Sequence, residues 1–366
     1  MSKLFIIGNG FDLGHKLETS YDDFKIFLII QIFQEEYKKG KQNFLKEFYN
    51  QCDDYLRLCY PGETLSRNEI NSIFEENSIK KITKLMKETL WECFCAFYSN
   101  IYFQDYLENE SNWSKYFINL IEVVYYWQDF ESSLGKLYLG VDSNYSDIFI
   151  KSDHGEAKRS MDENREIQIK MFELLEELDI SFRNWINLVD VNKANKLETF
   201  GKEINDETLF FTFNYTNTLE EVYNVQSNNI LHIHGKVGEK IIYGHEGFEV
   251  LSEKDEYLKR CESKQTTDGE AVYELDESLR KKTEKIINKK EVKDFFEKIK
   301  NVDEVYSYGF SYAKVDEIYI EEIIKKVNGK DVTWYLDDYN NEINLNYKKI
   351  IENLGFKGKI KEFSRN

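Results

Sequence analysis

Apolar residues fall into two patterns along this chain. Short unbroken runs closed by glycine or polar residues occur at the start and again from about residue 208 onward, and a three- and four-residue spacing fills the ground between. Leu4-Phe-Ile-Ile7, stopping at Gly8, predicts a buried strand that ends in a tight turn. Thr208-Leu-Phe-Phe-Thr-Phe213 is the nearly continuous apolar and β-branched run of a parallel strand covered on both faces, and Asn214 comes directly after it. After one short helix, Ile230-Leu-His-Ile-His234 predicts a strand ending at Gly235. Val302 to Gly309, Val332 to Leu336 and Lys357 to Phe363 predict three more, the last at an edge. Helices are predicted between them over Leu275–Lys300, Glu317–Val327 and Asn341–Leu354. Strand alternating with helix predicts a parallel sheet with right-handed crossovers.

The middle of the chain reads as helix. Thr19-Ser-Tyr-Asp-Asp23 supplies a helix start with Ser20 as N-cap, and the helix runs to Lys39 with a core stripe of Phe24, Phe27, Leu28, Ile32 and Phe33. Gly40 stands where a C-cap glycine belongs. Helical periodicity continues from Gln42 to Leu197, with helices predicted over Gln42–Tyr60, Arg67–Asn100, Trp113–Leu137 and Glu163–Trp185 and polar loops at 141–147 and 151–159. Trp127 and Glu131 share one helix face, as a pocket carboxylate beside an aromatic or as a solvated glutamate beside a packed one. The fold class expected is α/β. A Rossmann-like parallel sheet is built from residues 1–40 and 200–366, with a large, mostly helical insertion at 41–199.

Composition narrows the classes. The 366 residues are 41% hydrophobic and 15% aromatic, enough for a substantial core, and the single proline, Pro61, favours long helices. Lys and Arg number 49 against 67 acidic residues, a net charge of −18 that repels phosphate backbones and argues against non-specific nucleic-acid binding. The five cysteines are odd in number and lack paired C-x-x-C spacing, so they read as reduced thiols. No signal peptide is expected ahead of the first strand, and Phe24–Phe33, interrupted by Lys25 and Gln31, is too short to span a bilayer. A cytoplasmic protein without membrane contact is expected.

Candidate chemistry gathers where strands end. Gly8, Gly10 and Gly14 are less than a full G-x-G-x-x-G fingerprint, but glycine lets backbone amides approach an anionic oxygen closely. Asn214 and His234 stand at the carboxyl ends of two strands, the edge where open α/β sheets bind ligands, and Gly309 ends a third. His232 and His234, two apart on a strand, are expected on one face; with His245 they form an alternative metal site in which Glu246 is the only neighbouring carboxylate. No metal is expected in the favoured reading. His154 reads as a surface residue, and the stretch from Cys261 to Glu270 as a polar loop.

Four blocks in order, Gly8-Asn-Gly-Phe-Asp12, Phe213-Asn-Tyr-Thr216, His232-Ile-His-Gly235 and Gly309-Phe-Ser-Tyr-Ala-Lys-Val-Asp316, resemble the bacteriophage abortive-infection AbiH family. Trp127-Gln-Asp-Phe-Glu131 and Tyr243-Gly-His245 extend the likeness over nearly the whole chain, which implies an antiphage role in bacteria. More distantly, the order resembles sirtuin-like domains of antiphage NAD hydrolases. That resemblance implies NAD as substrate or ligand, with Gly8 and Gly10 lining the dinucleotide phosphates and Gly309 and Ser311 at the adenosine end. Asn9, Phe11 and Asp12 complete the first nucleotide-binding turn, and Asp12 or Asp316 is read either as stabilising a cationic ribose or as an N-cap or turn carboxylate. Asn214 would orient the attacking water or ribose and His234 would act as base. The chain departs from the sirtuin-like pattern at Thr216, where that pattern has Asp, and at Asn9-Gly10-Phe11. N-glycosidic cleavage of NAD or a related nucleotide is the leading function. A non-catalytic nucleotide sensor and a metal-dependent nuclease or phosphoesterase are the alternatives. Gating by homo-oligomerisation, by the 261–270 loop or by a phage-derived trigger is expected, because unrestrained NAD hydrolysis would poison the host.

Overall fold

A computed structural model describes residues 2–38, 42–60, 84–98, 130–134, 161–245, 277–327, 331–338 and 340–364. The predicted helix Trp113–Leu137 with Trp127, the loops at 141–147 and 151–159, His154, Glu246 and the 261–270 stretch lie wholly or mostly outside them. The chain divides into two compact units, one of residues 1–20 and 183–366, the other of residues 21–182.

The first unit is a six-stranded sheet in which every pairing is parallel. Its strands are β1 (Lys3–Ile7), β2 (Leu209–Thr212), β3 (Ile230–His232), β4 (Glu304–Tyr308), β5 (Thr333–Asp337) and β6 (Lys359–Phe363). They lie in the order 3-2-1-4-5-6, the doubly wound arrangement in which strand order reverses between β1 and β4. Alternation along β1 explains why its apolar run is unbroken. Leu4 and Ile6 enter a core with Phe211, Val305 and Trp334, while Phe5 and Ile7 enter a second with Phe210, Tyr306 and Tyr308. Helices Lys290–Lys298 and Glu317–Val327 supply buried side chains to the first core. Helix Asn341–Asn353 starts where the Asn340 side chain accepts from the Glu342 and Ile343 amides.

Two expectations are corrected. The charged stretch expected as one helix over Leu275–Lys300 is broken: Thr283–Ile286 and Lys290–Lys298 are separate helices, and Arg280 forms a parallel bridge with His245. Charge periodicity concealed this break because Lys281, within it, is a buried lysine. The strand predicted to reach His234 stops at His232, so the strand alternation argued for the two histidines ends before the second.

The second unit is helical among its described residues, with helices Tyr21–Lys38, Gln42–Cys59, Lys84–Tyr98 and Phe130–Leu134 and most of Met161–Leu188. Phe130 and Phe182 stack, and Phe24 meets both edge-on at 5.6 and 5.0 Å. Glu131 is tied into this unit, accepting a 2.7 Å bond from the Tyr21 hydroxyl. No described helix is long and apolar enough to cross a membrane.

Candidate functional site

The reversal point of the sheet is closed by glycines. The Gly8 amide donates to Tyr308 O at 3.1 Å, Gly10 to Gly309 O at 2.9 Å and Phe11 to Gly8 O at 2.9 Å, while Gly309 donates to the Asp337 carboxylate at 2.6 Å. A Cβ on Gly10 would stand 2.7 Å from Gly309 Cα, and one on Gly309, whose φ is +61°, would stand 2.4 Å from the Gly10 carbonyl carbon. Glycine is therefore required at both positions so that the turns after β1 and β4 can touch. These amides are spent on the protein itself. Asn9 is equally committed, its side chain exchanging bonds with Thr19 O (2.8 Å) and the Thr19 hydroxyl (2.7 Å).

Beside this closure lies a buried polar cluster. Helix Asn9–Gly14 turns Asp12 inward, where it accepts from the Thr216 hydroxyl at 2.6 Å and the Thr218 hydroxyl at 2.9 Å. Among the described residues Asp12 has no cationic partner within 4 Å. Burial raises its pKa to about 6, against the lowering by Thr216, Thr218, Asn214 and the charge of His232. The Thr216 hydroxyl thus binds a carboxylate contributed by the short helix after β1. Asn214 lies just past β2 and is buried. Its side chain approaches Asp12 as a donor that favours the ionised form, yet among the described residues neither its amide nitrogen nor its amide oxygen completes a well-aligned hydrogen bond.

His232 completes the β2–β3 side. One ring nitrogen meets Asn214 O at 3.1 Å and the other meets Glu220 Oε1 at 3.1 Å, which Lys236 also approaches at 2.9 Å. Both ring nitrogens thus face oxygen acceptors. Burial opposes ionisation of Glu220, but His232 and Lys236 outweigh it and hold its pKa down to about 2. Its second oxygen, Oε2, is buried without a hydrogen-bond partner.

His234 keeps different company. It packs edge-on against Phe213 and Tyr319, with Nε2 3.6 Å from Asp316 Oδ1, beyond hydrogen-bonding range. The Lys281 ammonium lies 3.4 Å from the same carboxylate oxygen. Burial, then the charges of Lys281 and Lys289, push the His234 pKa well below the usual imidazole value, leaving it neutral at pH 7. Ser311 is exposed, between a buried Phe310 and a buried Tyr312 whose hydroxyl bonds Ser307 at 2.6 Å. His232 faces Glu220 whereas His234 faces Asp316, and among the described residues no three His, Cys, Asp or Glu side chains gather as a metal site.

Of the residues singled out from sequence, Asp12 and Asn214 come together, His234 and Asp316 come together, and Ser311 is exposed. Thr218, Glu220, Lys236 and Lys281 were not anticipated. Glu220 and Thr218 lie on the short helix after Asn214, and Lys281 sits inside a run that reads as solvated charge.

A six-stranded parallel, doubly wound sheet with buried polar side chains at its carboxyl edge defines an α/β protein, and that edge is where open sheets of this kind bind ligands. The family model for bacteriophage abortive infection AbiH matches residues 4–338, and the chain belongs to that family. No curated protein and no solved structure matches it.

Proposed function

We propose that this abortive-infection protein is an effector that binds NAD or a related nucleotide at the carboxyl edge of its sheet and hydrolyses the N-glycosidic bond. The observation that carries the reading is Asn214, an amide buried at the end of β2 beside the Asp12 carboxylate, whose polar atoms complete no well-aligned hydrogen bond among the described residues. A buried polar group left unsatisfied costs about 1–3 kcal/mol, so one held at a strand's ligand-binding end calls for a ligand that satisfies it. The glycine amides have acceptors within the protein, and the reading therefore rests on side chains rather than on a phosphate cradle.

The chemistry suits the cluster. Cleavage passes through an oxocarbenium-like ribose whose leaving group departs neutral, so the protein must orient the sugar, oppose its positive charge and admit a water. At pH 7 Asp12 is largely ionised and supplies the opposing charge; Asn214 orients ribose or water; His234, neutral, accepts the water's proton. A base of such low pKa is weak, so the larger effect falls on Asn214 and Asp12. A phage-derived trigger or homo-oligomerisation releases the activity, which otherwise would deplete the host. Nicotinamide release from NAD is expected from the wild type and at least about a hundredfold slower in Asn214→Ala and Asp12→Asn, with a smaller loss in His234→Ala. Equal rates in all four proteins would remove the assignment, and NAD binding without turnover would favour a sensor.

A further inference from the structure

The β2–β3 side of the sheet carries a second unsatisfied acceptor that hydrolysis does not use. Glu220 Oε1 receives both His232 and Lys236, at 3.1 and 2.9 Å, while Oε2 is buried and has no partner. His232 bridges this carboxylate to the Asn214 backbone carbonyl, so one imidazole touches two of the residues whose buried side-chain atoms complete no hydrogen bond among the described residues. An acceptor left in this way is completed by a donor from outside the protein. In sheets of this strand order, an acidic side chain on the β2 side is where a nucleotide's ribose hydroxyl is received.

Resting on the nucleotide reading above, we propose that Glu220 determines specificity: its unpaired Oε2 accepts a ribose 2′-hydroxyl and excludes a 2′-phosphate, so the site takes NAD in preference to NADP. A hydroxyl donates to a carboxylate oxygen, whereas a phosphate brings negative charge against it in a desolvated setting. With Glu220 ionised through the neutral range, the discrimination does not depend on a protonation event there. Replacing it with glutamine removes the repulsion and frees Lys236, a cation within reach of an incoming phosphate.

The test is calorimetric titration of the full chain with NAD and with NADP, for the wild type, Glu220→Gln and Lys236→Ala. The wild type is expected to bind NAD about a hundredfold more tightly than NADP. In Glu220→Gln, NAD binding weakens about tenfold and the preference shrinks to within about tenfold. Lys236→Ala keeps the carboxylate and so keeps the preference, which separates loss of charge from loss of fold. Equal wild-type affinities for NAD and NADP, or an unchanged ratio in a folded Glu220→Gln, would overturn the role of Glu220 while leaving nucleotide binding standing. Binding of neither nucleotide to the wild type would overturn both.

Discussion

Two carboxylates lie buried at the carboxyl edge of the same sheet, and the protein treats them differently. Asp316 is accompanied by the buried Lys281 ammonium at 3.4 Å and the His234 ring at 3.6 Å, so its charge is matched from within the chain. Asp12 is given two threonine hydroxyls and an approaching amide, with no cation within 4 Å among the described residues and His232 acting only from farther off, and burial raises its pKa to about 6. The contrast separates structural from functional polarity. A carboxylate with its own close cation holds a loop in place, whereas one solvated at close range by neutral donors is, on the function proposed above, the group that a ligand's charge would meet.

The largest break in that comparison comes from the paired side. Lys281→Met removes the ammonium beside the buried Asp316 and is expected to cost about 3–5 kcal/mol in denaturant unfolding. A loss under about 1 kcal/mol would mean that Asp316 draws its charge balance elsewhere and that the two carboxylates are alike.

The unpaired side has a pH signature. An acid whose folded pKa is raised binds more protons folded than unfolded, so its favourable contribution is complete below about pH 4 and is lost as pH rises through about 6. The shift from 3.8 to about 6 corresponds to roughly 3 kcal/mol lost between those limits. Glu220 and His234, with lowered pKa values, run the opposite way and lose stability as pH falls. The Asp12 contribution therefore has to be read as a difference. Unfolding free energy of Asp12→Asn minus that of wild type should climb from about pH 4 to about pH 7 and then level; a flat difference would remove the raised pKa.

Much of this sheet edge was legible in sequence because strands covered on both faces leave unmistakable apolar runs, and the polar residue closing each run marks the carboxyl edge. Asn214 and His234 were found that way, and Asp12 from the turn after the first run. The glycine contact was not, since the partner of Gly8 and Gly10 is Gly309, far along the chain, and no local pattern distinguishes a glycine that packs on backbone from one that cradles phosphate. Lys281 was hidden for a related reason: within a run of lysines and glutamates nothing marks the one ammonium that a distant aspartate draws inward. The histidines misled because alternation holds only while a strand lasts, and β3 ends after His232.

The smallest effect is the most discriminating. If Asn214 were structural, removing its amide would destabilise the fold, as with Lys281. Because neither buried polar atom completes a well-aligned hydrogen bond among the described residues, Asn214→Leu trades a poorly satisfied amide for an apolar side chain of similar size and should leave stability unchanged or raise it by about 1 kcal/mol. Its NAD binding, monitored by ligand-induced rise in melting temperature, should disappear at the same time. A variant destabilised by more than about 1 kcal/mol that still binds NAD would place Asn214 with Asp316 among the residues that hold the fold.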